Sequence, residues 1–132
     1  TKDDIFFNND GSNINITEEG FYQITADVAA SKLSAVKTTW GIIGPAQAGG
    51  WDSDTDMTWN AEDESWTATL ELAADEFKFR ANDDWGINMG GSIDDLSQDG
   101  ANIKVTEAGT YEVKLFLARS ASDKMYCTLT KK

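Results

Sequence analysis

The chain has 132 residues, with 23 Asp and Glu against 11 Lys and Arg, a formal net charge of −12, and no histidine. That length holds one domain, or one and a fraction, and the charge excludes tracking of nucleic-acid phosphates or docking on an anionic membrane, both of which need clustered cations. The missing histidine removes the side chain most used for proton transfer near neutral pH and the commonest transition-metal ligand.

The composition is 40% hydrophobic and 26% charged, as in ordinary soluble globular domains. A single cysteine rules out an internal disulfide and a cysteine-based zinc site. No apolar run approaches the roughly 20 residues that span a bilayer. The first residues, "TKDDIFF", carry no signal-peptide pattern, so the chain reads as a mature or excised piece.

In chain order, short runs rich in Val, Ile, Thr and aromatics alternate with Gly, Asn and Asp clusters, which is strand-and-turn organisation. "FYQITADVA" puts Tyr22, Ile24, Ala26 and Val28 on one face. Trp40 begins a strand in "TTWGIIG". Trp51 lies in the glycine-rich "AGGWDSDTD", read as a loop, and Trp59 shares a face with Met57. "SWTATLEL" alternates Trp66, Ala68, Leu70 and Leu72 against polar neighbours, and "TYEVKLFLA" does the same with Tyr111, Val113, Leu115 and Leu117. "MYCTLT" alternates too and makes Cys127 a buried strand cysteine. No window shows a sustained helical period with caps. The expected fold is all-β, an antiparallel sandwich.

One element recurs. Residues 10–24, "DGSNINITEEGFYQI", and 99–113, "DGANIKVTEAGTYEV", share Asp, Gly, Asn, Ile, Thr, Glu, Gly and Tyr at an offset of 99 − 10 = 89 residues. Each copy reads as a short strand, a turn whose glycine suits positive φ, and a strand starting at tyrosine. Residues 1–37 therefore read as the closing strands of a preceding repeat unit, or as an N-terminal hairpin docked on the sandwich, and 38–132 as a complete domain. An isolated hairpin is marginal in water, which is why docking is expected.

The chemistry concentrates in "EFKFRANDDWGINMGG". As a strand, its phenylalanines face the core while Lys78 and Arg80 form a solvent-facing pair one strand step apart. Trp85 follows in a turn by composition, where it either folds back as a cap or offers a flat ring to a pyranose, with the cations and Asn82 beside it as hydroxyl donors. "DSDTD" opens like a calcium loop, with Asp52, Asp54 and Asp56 at alternate positions. Its sixth position, however, is Met57, not Gly, and its twelfth is Asp63, not Glu. The sequence shows no nucleophile–base constellation, and its turn aspartates have a local hydrogen-bonding role to explain them, so no catalytic residues and no cofactor are expected.

The stretches "WGIIGPAQAGGWDSDTDMTW", "FKFRANDDWGINMGG", "DGANIKVTEAGTYEVKL" and "YCTLTKK", in that order, resemble the carbohydrate-binding domains of SusE/SusF-type outer-membrane lipoproteins of Bacteroidetes. The second is also similar to a starch-binding accessory module of pullulanases. The resemblance covers residues 38–132 and implies an immunoglobulin-like β-sandwich that binds starch or another α-glucan without cutting it. The setting it implies is the extracellular face of the outer membrane, within a tandem-domain lipoprotein. Other outer-membrane uptake proteins are the implied neighbours, and the isolated domain is expected to be a monomer. The positions that match the glucan-contacting pattern are Trp85, Arg80, Lys78, Asn82 and Asn88, with Trp51 and Trp40 as second platforms. Two other readings of the same fold stand beside it: a spacer with no glycan site, and a calcium-stabilised adhesion or interaction sandwich.

Overall fold

A computed structural model describes residues 2–6, 20–27, 32–117 and 124–132. It divides into two compact units, 1–39 and 40–132. Every named element in both is a strand, and every pairing is antiparallel.

The first unit holds β1 (Lys2–Phe6), β2 (Phe21–Asp27) and β3 (Lys32–Thr38) in the order β1-β3-β2. In β2, Tyr22 stands opposite Lys37. Val28 and the upstream copy of the repeat from Asp10 to Glu19 lie outside the described residues.

The second unit is a β-sandwich. One sheet contains β4 (Trp40–Gly44), β5 (Gly50–Asp56), β8 (Glu76–Ala81), β9 (Asn88–Ser92) and β10 (Asp95–Gln98), in the order β10-β9-β8-β4-β5. The two-residue β11 (Ile103–Lys104) adds to β8. The other sheet runs β13 (Tyr126–Lys131), β12 (Gly109–Phe116), β7 (Ser65–Leu72), β6 (Thr58–Asn60). The core lies between the sheets. Phe77 and Phe79 of β8 meet edge to face at 5.4 Å, with Ile42, Val113, Leu115, Leu72, Trp66 and Ile103 among the buried side chains. Each fully buried residue of this size contributes about 1.5–3 kcal/mol of transfer free energy.

The alternating segments form the strands the sequence predicts, β7 and β12 with their apolar residues in register (Trp66 opposite Leu115, Leu70 opposite Tyr111). Two local expectations change. Trp51 belongs to strand β5 and not to a loop. The glycine of the second repeat copy, Gly109, lies outside the positive-φ set and opens β12 in ordinary strand conformation. Its missing side chain has another use: a Cβ there would meet the Lys131 Cε at 2.6 Å, and Lys131 stands opposite Tyr111. Gly20 makes the same room for Lys37, opposite Tyr22. The repeated Gly-x-Tyr thus marks a cross-strand Tyr–Lys pairing in both units. The tyrosines are 111 − 22 = 89 residues apart and the lysines 131 − 37 = 94, so the second hairpin is five residues longer.

Cys127 is buried, opposite Leu115, and burial, with a smaller contribution from Asp94, pushes its thiol pKa up to about 12. It is a packing residue.

Candidate functional site

The site is built on the outer face of the β5-β4-β8-β9 portion of the first sheet. Strand alternation sends Phe77 and Phe79 inward and Lys78 and Arg80 outward. The sequence pattern left the two cations in solvent. The structure buries them, Lys78 at 9% exposure and Arg80 at 8%, because the Trp85 ring lies over both. The ring centroid is 5.0 Å from the Arg80 guanidinium carbon and 5.9 Å from the Lys78 Nζ, within cation–π range.

Each buried cation has a partner. Arg80 Nε donates to both carboxylate oxygens of Asp54, at 2.8 and 2.9 Å, and its Nη2 pairs with the same carboxylate. That hydrogen bond raises the Arg80 pKa further, against desolvation, with the Asp54, Asp83 and Asp84 charges adding to the rise. The ion pair links β5 to β8 across the intervening β4. It passes over Gly41, where a Cβ would lie 2.8 Å from the Asp54 carboxylate. Glycine in the middle of a buried strand is therefore required by the close approach of this side chain. Lys78 donates to the Asn88 side-chain oxygen at 2.6 Å. Among the described residues, the remaining N–H donors of Arg80 and Lys78 have no protein partner.

Trp85 is held by its backbone. Asn82 and Asp83 both adopt left-handed φ (57° and 53°), and the Asp84 N–H donates to the Ala81 carbonyl at 3.1 Å. This is a type I′ turn, and Asn and Asp are the non-glycine residues that tolerate it. Beyond the turn, the Trp85 N–H donates to the Asp84 carboxylate at 2.7 Å, and its carbonyl accepts from the Asn88 amide at 2.9 Å.

Trp51 comes from the other side. Buried Gln47 braces the start of β5, donating to the Gly50 and Ser53 carbonyls, both at 2.8 Å, and accepting from the Gly49 N–H and the Thr55 hydroxyl. The β4–β5 register breaks between Ile42 and Gly44. That irregularity lets Trp51 and Asp54, three residues apart, both serve the Trp85–Arg80 cluster, which strict two-residue alternation would forbid. The Trp51 and Trp85 rings lie 5.9 Å apart at an interplanar angle of 45°, and both residues are 43% exposed.

Of the seven expected residues, the structure brings Trp51, Lys78, Arg80, Trp85 and Asn88 into one cluster. Asn82 is an exposed turn residue beside it. Trp40, in β4, is buried at 4% exposure and is not part of this surface. The "DSDTD" stretch is extended strand and does not wrap as a calcium loop would, and its central carboxylate is taken by Arg80. Sequence reasoning missed Gln47 and the Asp54–Arg80 ion pair, having weighed Asp54 only within a weak calcium-loop pattern. The sequence signal for the Asp54–Arg80 pair is Gly41, set between Trp40 and Ile42 in β4.

No family model, curated protein or solved structure matches the chain.

Proposed function

We propose that the second unit is a non-catalytic carbohydrate-binding module whose ligand is an α-glucan such as starch, stacked on Trp51 and Trp85. The observation that carries this reading is the tilted, half-exposed tryptophan pair, of which the Trp85 ring lies over two buried, partnered cations. A core has no use for two half-exposed indoles, and exposed aromatic platforms of this kind are binding hot spots. The 45° tilt suits a glycan whose successive pyranoses turn, as α-linked glucose does, better than a flat ribbon. Uncommitted N–H donors of Arg80 and Lys78 beside the rings supply orientation through sugar hydroxyls. Arg80 is already neutralised by Asp54, and Asp83 and Asp84 stand exposed beside Trp85, which favours an uncharged glycan over an acidic one. Two exposed rings bury little area, so single-site affinity is weak and gains from multivalency.

The immunoglobulin-like form of the sandwich belongs to the same reading. It is supported by the Tyr111 hydroxyl, which donates to the Glu107 carbonyl four residues upstream at 2.6 Å, in the manner of a tyrosine corner. Placement on a bacterial outer surface within a glycan-uptake system rests on the resemblance alone.

Calorimetric titration of the chain with maltoheptaose tests the reading. Binding heat in the parent that disappears in Trp85→Ala, with the melting temperature lowered by only about 3 °C, is the expected result. Absence of heat in the parent with maltoheptaose and with other neutral glucans would return the unit to the spacer reading.

A further inference from the structure

We infer that Asn88 is a positioning residue, acting on the glycan only by holding the Trp85 platform; this rests on the carbohydrate-binding reading above. The side chain is buried, and both of its amide N–H donors are spent, one on the Trp85 carbonyl at 2.9 Å and one on the Asp99 carboxylate at 2.8 Å. Its oxygen accepts from Lys78 at 2.6 Å. It therefore has no donor left for a sugar hydroxyl. What it does instead is join three parts of the site. The carbonyl of the ring-bearing loop, the ammonium beneath the ring and the turn between β10 and β11 all meet at one amide.

The turn is a rigid base for this. Asp99 sits at φ 58° and its N–H donates to the Asn88 carbonyl. Gln98, its neighbour, accepts from the Asn88 N–H at 3.2 Å and donates to the Gly86 carbonyl at 3.3 Å. The six-residue loop 82–87 thus hangs on contacts that converge on Asn88 and Gln98. A stacking ring gives affinity in proportion to how little order the ligand must impose on it, because immobilising a loose side chain on binding costs free energy. Removing the two donors of Asn88 frees the loop without touching the ring.

The test uses Asn88→Asp and Asn88→Ala in the full chain, with maltoheptaose titration and ¹⁵N relaxation of the Trp85 indole and backbone N–H. Asn88→Asp has nearly the same shape and keeps an acceptor for Lys78 but loses both donors, so it decides the matter if the alanine variant fails to fold. The expected result is maltoheptaose binding weakened about tenfold. The Trp85 order parameters fall from about 0.85 to below about 0.6, while those of Phe79 and Val113 stay unchanged. A ring that stays ordered while affinity falls would mean Asn88 touches the glycan, and overturns the inference. Affinity that is unchanged in a folded variant overturns it equally. A parent chain that binds no maltoheptaose sinks the carbohydrate reading instead, and the relaxation data still decide whether Asn88 holds the ring.

Discussion

The molecule contains two tryptophan pairs of nearly the same geometry. Trp51 and Trp85 are 5.9 Å apart at 45°, and Trp59 and Trp66 are 5.8 Å apart at 58°. Ring geometry does not distinguish them; what lies beneath does. Trp66 stands in β7 with its ring on the core side, in register with Leu115, and Trp59 covers it from the edge strand β6. Trp85 rests on Arg80 and Lys78, and neither ring of its pair is anchored in the apolar core. The Trp59–Trp66 pair stabilises by removing apolar area from water. The Trp51–Trp85 pair keeps that area half-exposed, with Trp85 over a polar base, which leaves area for a ligand to cover.

The comparison can be broken by truncating each pair. Trp66→Ala is expected to cost about 3–5 kcal/mol, a large share of the stability of a domain this size, read in denaturant unfolding. Next in size is the polar base. Asp54→Ala strands the Arg80 charge in a buried position and is expected to cost about 3 kcal/mol, lowering the melting temperature by about 10 °C. A melting temperature that stays within a degree or two would show that Arg80 finds water as good a partner as Asp54. Trp85→Ala reverses the balance of effects. Only the cation–π contribution, about 1 kcal/mol, is lost from stability, while maltoheptaose binding falls below detection. Equal stability losses at Trp66 and Trp85 would erase the distinction between the pairs.

The remaining effect is confined to alkaline pH. The folded Cys127 pKa of about 12 lies above the ordinary 9.0, so between these values the native state binds the proton that the unfolded chain has released. Stability contributed by the neutral thiol is intact below about pH 9. It declines by about 1.4 kcal/mol per pH unit as pH rises toward 12. Subtracting the alkaline unfolding profile of Cys127→Ala from that of the parent isolates this slope. A difference that is flat from pH 9 to 11 would show the thiol to be solvated.

The alternation in "SWTATLEL" and "TYEVKLFLA" sufficed to place β7 and β12, their inward faces and their residue types, because a two-residue period under one-sided burial leaves little choice of register. The turn after β8 was legible too, since Asn82 and Asp83 are among the few residues at ease in left-handed φ. Clustering of "KFRANDDW" located the neighbourhood of Trp85 and its cations. Their burial was not legible, because it depends on a ring that folds back from the loop and not on strand alternation.

The sequence by itself determined much of the local geometry of this protein: the strands β7, β8 and β12, which side of β8 carries charge, and the turn that follows β8. These follow from neighbour-to-neighbour sterics and side-chain periodicity, both of which act along the chain. Only the tertiary structure decided that Trp51 meets Trp85, that Asp54 reaches over Gly41 to Arg80, and that Asn88 serves the loop instead of facing outward. Those contacts join residues up to 34 positions apart (85 − 51) through a register break that no local pattern announces. Their physical origin is the need of each buried charge and amide for a partner, and that need is met only once the strands are side by side.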